Sequence, residues 1–169
     1  IMHDEVQHLE RLVDDLRTLS LADAGELPLN RRIVDPAALI ERTALAHYIR
    51  AEAQGVAVSV EAGADLPNVF VDTDRMTQVL NNLVGNALTH TAAGEIHLTA
   101  HTQGDSVALT VQDAGAGIAP EDLPFVFDRL YRGDKARQRS PEGSSGLGLA
   151  IAKAIVEAHG GTIAVASTV

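Results

Sequence analysis

Apolar residues near the start of the chain follow the spacing of a bundle helix. Val6, Leu9, Val13 and Leu16 are separated by three, four and three positions, which is a heptad seam. We predict a helix that stops near Gly25. One helix cannot bury such a stripe alone, so it needs a partner helix, a second subunit or both. The alternative is an N-terminal helix packed on its own domain.

Beyond Gly25 the pattern mixes helical and alternating periods. Asp35-Pro36 is a helix start, Asp72 or Asp74 begins a second helix, and Gly104-Asp105 is a hairpin turn. The predicted strands are 27–34, 56–60, 69–71, 95–102, 106–113 and 162–166, and the predicted helices are 36–55, 73–90 and 146–159. This order predicts an α+β fold, a two-layer α/β sandwich with a mixed sheet and helices on one face, preceded by the bundle helix.

Composition narrows the functional classes. Hydrophobic residues make up 46% of the 169 residues and aromatics only 3%, so the core is aliphatic. There is no Cys, which excludes disulfides and thiolate metal sites. The net charge of -10 disfavours nucleic acid and anionic membrane surfaces. No apolar run approaches the roughly 20 residues that a membrane span requires.

The predicted helix 73–90 carries a polar stripe. Asn82, Asn86 and His90 are four positions apart and so share one face. Asn is a poor helix former, and its carboxamide oxygen is a hard, neutral ligand that suits Mg²⁺ held otherwise by phosphates. The alternative is a pair of solvated or capping Asn residues.

A strand that ends in Asp113 is followed by Gly115 and Gly117. Glycines permit a tight turn and a close approach to a flat ligand. An ionised Asp only accepts hydrogen bonds, so it would bind the exocyclic amine of adenine and disfavour guanine. The alternative is an ordinary turn.

A third motif, Gly143-Ser-Ser-Gly146-Leu-Gly148-Leu149, leads into the last predicted helix. Amides at a helix N-terminus together with glycines favour an anion site. Before it, five of the thirteen basic residues lie within eleven positions of an acidic chain, which favours a triphosphate ligand. A solvated surface loop is the alternative. These basic residues are Arg129, Arg132, Lys135, Arg137 and Arg139.

The three motifs, with Phe125-Val-Phe127-Asp-Arg-Leu-Tyr131-Arg132 between the second and third, resemble in order the N, G1, F and G2 boxes of sensor histidine kinases. The leading helix resembles the second helix of that family's dimerisation and phosphotransfer hairpin. The resemblance implies that residues 1–25 are part of this hairpin and that 26–169 are the catalytic ATP-binding domain without its C-terminal end. It also implies the GHKL (Bergerat) type of sandwich shared with gyrase.

The resemblance implies ATP and Mg²⁺ as cofactors. Asn86 would hold Mg²⁺ with Asn82 beside the phosphates, both in catalytic roles, and Asp113 would bind adenine in a pocket shaped by the nearby glycines. Phe127 would anchor an ATP lid. The other implied ATP-binding residues are His90, Gly115, Gly117, Ile118, Tyr131, Arg132, Ser145, Gly146, Leu147, Gly148 and Leu149, and the lid residues are Arg129, Lys135, Arg137 and Arg139.

The residue at position 82 separates the enzyme classes of this superfamily. Its ATPases carry a Glu one turn before the Mg²⁺-binding Asn, whereas this chain carries Asn82, and an amide cannot act as a general base. Transfer of the γ-phosphate to a histidine is therefore expected, and the alternatives are a superfamily ATPase and a non-catalytic nucleotide-sensing scaffold. The family's acceptor pattern is absent, because His3-Asp4 copies only its first two residues.

Further expectations come from the resemblance alone. The partners would be ATP, the protein's own acceptor hairpin, the receiver domain of a response regulator and a second copy in a homodimer, with no nucleic acid. The chain would be the cytoplasmic portion of a sensor anchored in the bacterial inner membrane.

Overall fold

In a computed structural model the described residues are 2–131 and 145–168. They fall into two compact units. One is built from Ile1–Pro28 and Ala119–Ser167, and the other from Leu29–Ile118 with the last two residues of the chain. The predictions for Arg132, Lys135, Arg137 and Arg139 lie outside the described residues.

The unit of residues 29–118 contains two sheets and two helices. Strand β2 pairs in parallel with β4, which pairs antiparallel with β5, so this sheet is mixed as predicted. Strands β1 and β3 form a separate antiparallel pair. The elements are β1 (Arg32–Val34), α2 (Pro36–Ala53), β2 (Val56–Ala62), β3 (Val69–Val71), α3 (Thr73–His90), β4 (Gly94–Gln103) and β5 (Ser106–Asp113).

The core of this unit lies between the three-stranded sheet and the helices α2 and α3. Alternate residues of β4 point into it, and both helices contribute one apolar face. The opposite face of β4 is polar, where His97 Nδ1 lies 2.6 Å from Ser59 Oγ. A mixed sheet with helices on one face confirms the predicted fold class. The main core residues are Leu39, Ile40, Leu80, Val84, Ile96, Leu98 and Ala100.

The other unit contains helix α1 (Met2–Asp23), a short 3₁₀ turn (Leu123–Phe125) and helix α4 (Gly148–Ala158). Helix α1 packs against α4, with Leu19 and Ile155 both buried. The predicted seam faces away from this contact: Val6, Leu9, Val13 and Leu16 are between 52% and 63% exposed. In the described part of the chain, no helix is both long and apolar enough to cross a bilayer.

Two predicted strands differ from the structure. Residues 162–166 form no strand, because they have no ladder partner among the described residues, and a strand exists only through such pairing. The prediction for 27–34 is correct only over Arg32–Val34. Its partner β3 is three residues long, so the ladder ends where the partner ends.

Candidate nucleotide-binding site

The capping residue of α3 fixes how the helix begins. Asp72 is the N-cap, and its Oδ1 accepts from the backbone N–H groups of Asp74 and Arg75 at 3.0 and 3.1 Å. Its Oδ2 accepts from Asn30 N at 2.8 Å. Burial works to raise the pKa of Asp72, but these three N–H donors and the charge of Arg75 outweigh it, so the pKa is lowered. Asp72, and not Asp74, is therefore the cap that orients α3.

The polar stripe of α3 lies away from the core face. Val84 and Leu88 are buried, whereas Asn82 is half-buried and Asn86 and His90 are exposed. The carboxamide of Asn86 makes no hydrogen bond to another described residue. Burial of one face and the cap at the start thus present both amides on the accessible side of the helix.

The turn after β5 packs directly against the end of α3. Asp113 Oδ1 accepts from Gly115 N at 2.8 Å. A Cβ on Gly115 would lie 2.9 Å from the carbonyl oxygen of His90, closer than a real Cβ tolerates, so only glycine fits there. Gly117 has φ +75. Within this unit, the structure therefore brings Asp113 and Gly115 together with His90.

The F-box segment forms a compact turn in the other unit. The rings of Phe125 and Tyr131 are 5.8 Å apart, and Tyr131 OH donates to Asp122 Oδ1 at 2.5 Å. Phe127, the predicted lid anchor, is half-buried. Leu130 has φ +60, which is unusual for a residue other than glycine. This segment is held by its own aromatic and polar contacts.

The glycine motif joins this turn at its other end. Leu130 N donates to Gly146 O at 3.0 Å. Gly146 has φ +70, and a Cβ there would lie 3.1 Å from Leu130 Cα. We call residues 129–131 with 145–147 the loop root. Gly146 thus has a structural role in the loop root as well as its predicted place beside phosphates.

Helix α4 begins just beyond the loop root. Its N-cap is Leu147, which is buried and provides no side-chain cap. Ser145 Oγ accepts from Leu147 N at 3.3 Å. The first-turn positions Gly148 and Leu149 are half-buried, as Ile118 is in the other unit. A helix that starts without a side-chain cap is suited to receive an anion.

The sequence patterns did not predict the ion pair that the predicted lid residue Arg129 forms with Asp23. Arg129 Nη2 donates to both carboxylate oxygens of Asp23 at 2.5 Å. The two residues are 106 positions apart, so no local pattern connects them. The buried hydroxyl of Thr91, next to His90, was missed as well; it has no partner among the described residues.

Comparisons with known proteins agree with this architecture. Residues 71–169 match the family described as histidine kinase-, DNA gyrase B- and HSP90-like ATPase. The chain is 40% identical over 169 residues to the sensor protein SrrB of Staphylococcus aureus strain MRSA252. That match covers 99% of this chain and 28% of the length of SrrB.

Two solved structures have the same fold. The histidine kinase AdeS of Acinetobacter baumannii has a TM-score of 0.75 at 30% identity, over 92% of this chain and 70% of AdeS. Full-length ShkA in complex with AMPPNP has a TM-score of 0.82 at 30% identity, over 93% of this chain and 32% of ShkA. The chain therefore belongs to the histidine kinase-, DNA gyrase B- and HSP90-like ATPase family, as the catalytic ATP-binding domain of a sensor histidine kinase.

Proposed function

We propose that this domain transfers the γ-phosphate of ATP to a histidine on a helical hairpin, for relay to the receiver domain of a response regulator. The carrying observation is the polar stripe of α3, where Asn82 stands one turn before Asn86 and offers an amide and no carboxylate. An amide cannot deprotonate water, so the stripe favours transfer to a positioned nucleophile over hydrolysis. In that transfer the bond from γ-phosphorus to the β,γ-bridging oxygen breaks, a phosphorus–nitrogen bond forms, and the imidazole loses a proton.

The Asn82 and Asn86 amides could hold Mg²⁺ only if the nucleotide supplied further ligands. No group of three or more His, Asp or Glu side chains within residues 2–131 and 145–168 could hold a metal ion. The exposed Asn86 carboxamide is a single hard oxygen ligand, and Mg²⁺ commonly takes its remaining ligands from phosphate oxygens and water. Asn86 would hold the ion, which would neutralise charge on the phosphates.

Recognition of the base and of the phosphates falls to different residues. Asp113 would accept a hydrogen bond from the amine of adenine, in a turn that Gly115 and Gly117 shape. The start of α4 would face the phosphates, with Ser145, Gly146 and Gly148 beside them. ShkA was solved with AMPPNP, an analogue of ATP, which supports an adenine nucleotide as the ligand.

The exposed seam of α1 supports a partner in the complete protein. Four large apolar side chains on one helix face are more than half exposed. We assign residues 1–25 to the second hairpin helix and 26–169 to the catalytic domain. The seam would then pack against the first hairpin helix, which would carry the acceptor histidine, and against a second copy in a homodimer. The domain would lie on the cytoplasmic side of a membrane-anchored sensor.

The test supplies labelled ATP with Mg²⁺ and a separate hairpin that carries the acceptor histidine. We expect label on the hairpin, and loss of that label in Asn86→Ala. Asn81→Ala is the matched control, because Asn81 Oδ1 is bonded to His47 Nε2 at 3.0 Å and lies off the polar stripe. Nucleotide binding without transfer would favour a nucleotide-sensing scaffold, and release of labelled phosphate in its place would favour an ATPase.

The adenine assignment has its own experiment. Asp113→Ala should remove the preference for ATP over GTP, measured as two dissociation constants. A single charge-assisted hydrogen bond contributes about 1.5–3 kcal/mol, which corresponds to roughly tenfold or more in affinity. Unchanged discrimination would show that Asp113 does not read the base.

A further inference from the structure

An ion pair connects the end of α1 with the F-box segment. Asp23 is the last residue of α1, and Arg129 lies one residue before the strained Leu130. Both side chains are about half exposed, at 58% for Asp23 and 49% for Arg129. The pair therefore sits in solvent, where either partner could exchange it for another ion.

The position of Asp23 makes its partner more important than in an ordinary surface pair. The C-terminal end of a helix carries partial negative charge, so an Asp there is unfavourable and a cation is favourable. The last turn of α1 contains no basic residue of its own. Arg129 supplies the missing cation from a segment more than one hundred positions away.

The residues next to Arg129 determine which segments would shift if the ion pair with Asp23 broke. Leu130 follows Arg129 directly and is bonded through its N–H to Gly146 O at 3.0 Å. A Cβ on Gly146 would lie in tight contact with Leu130, at 3.1 Å from its Cα, and Ser145 Oγ accepts from Leu147 N at the start of α4. A displacement of Asp23 would thus act on the loop root and on the start of α4, the segment assigned to the phosphates.

We propose that Asp23 is a positioning residue that holds Arg129 at the end of α1, in competition with the phosphates of ATP. This inference rests on the proposed function and on the lid role that the sequence predicts for Arg129. The Asp23 carboxylate and the nucleotide phosphates are alternative anions for the same Nη2 group of Arg129. Binding of ATP would weaken the contact between Arg129 and α1, and a movement of α1 that breaks the contact would strengthen ATP binding.

The experiment measures the dissociation constant of ATP with Mg²⁺ for the unaltered chain and for Asp23→Ala. Removal of the competitor should tighten ATP binding by about two- to fivefold, the range of an exposed ion pair. Asp14→Ala is the matched control, because it removes the same charge from an exposed site on the same helix. Its effect should be much smaller.

Three further measurements separate competition from a general structural change. Asp23→Ala should have no effect in a chain that also carries Arg129→Ala. Adenosine, which lacks phosphates, should bind equally to the unaltered chain and to Asp23→Ala. The gain in ATP affinity should shrink at high salt, because salt screens exposed pairs.

An effect of Asp23→Ala that persists without Arg129, appears equally with adenosine or matches that of Asp14→Ala would overturn the inference while leaving the proposed function intact. Unchanged or weaker ATP binding by Asp23→Ala would do the same. Failure of the unaltered chain to bind ATP would instead overturn the proposed function and, with it, this inference.

Discussion

Helices α1 and α3 have similar apolar periodicity but very different surroundings. Along α3 the stripe is buried, with Leu80 at 1% and Val84 at 0% exposure, and the sheet covers it. Along α1 the seam residues remain more than half exposed, and only another face, which includes Leu19, is buried against α4. A helical pattern therefore shows that an apolar face needs cover, but it does not show whether the cover belongs to the same chain.

The largest expected difference between the two helices concerns their leucines. Leu80→Ala should lower the free energy of unfolding by about 2–5 kcal/mol, because it leaves a cavity in the core. The control Leu16→Ala, at an exposed seam position, should change it by less than about 0.5 kcal/mol. Urea denaturation followed by circular dichroism measures both. Equal losses would mean that the α1 seam is covered within this chain.

The cap of α3 should contribute next. Asp72→Asn places a donating amide against one of three N–H groups, so it should cost about 1–2 kcal/mol at neutral pH. Because the pKa of Asp72 is lowered, its stabilising effect is full above the usual value of 3.8 and is lost as pH falls through the lowered pKa.

Denaturation as a function of pH measures this effect, and the gap between the unaltered chain and Asp72→Asn should narrow in acid. Asp74→Asn is the control, because Asp74 is exposed and provides no cap. A gap that stays constant down to strong acid would contradict the assigned role of Asp72.

A charged residue on the seam of α1 tests directly whether a partner helix or a second copy covers this apolar face. Val13→Lys should leave the stability of this chain nearly unchanged, since Val13 is 63% exposed. In a longer protein that includes the whole of the proposed hairpin, it should weaken the proposed dimer by about 1 kcal/mol or more, roughly fivefold in affinity. Analytical ultracentrifugation measures the dimer dissociation constants of the unaltered protein and of Val13→Lys. An unweakened dimer would place the dimer contact elsewhere.

The smallest effect should come from the buried side of α1. Burial raises the pKa of Asp15, Asp14 adds to the rise, and Arg11 opposes it. A raised pKa means that the folded chain binds the proton more tightly, so stability falls as pH rises from 3.8 through the raised pKa. Asp15→Asn should therefore stabilise the chain at neutral pH, by less than about 1 kcal/mol. Thermal unfolding measures this gain, and a loss of stability would contradict it.

The sequence predicted the secondary structure best where several short-range signals coincide. The cap at Asp35-Pro36, the apolar period of α3 and the turn at Gly104 each depend on neighbouring residues, and all three elements formed as predicted. The stripe of Asn82 and Asn86 follows from the same period. Local patterns carry this information because helices and tight hairpins are specified by residues a few positions apart.

Features that depend on distant residues were not predictable. The predicted strand 162–166 failed because pairing needs a neighbour that local alternation does not reveal. The pair Asp23–Arg129 joins segments 106 positions apart, and an Asp at a helix end gives no indication of its partner. The left-handed conformation of Leu130 had no signal either, since leucine is not a residue that favours it.

That conformation of Leu130 also stores free energy. A left-handed backbone costs an L-amino acid with a Cβ roughly 1–2 kcal/mol, and the hydrogen bond to Gly146 and the surrounding contacts of the loop root offset it. Any rearrangement that lets the backbone of Leu130 leave the left-handed region would therefore recover this free energy. Leu130→Gly would remove this strain and would therefore stabilise the present conformation of the turn.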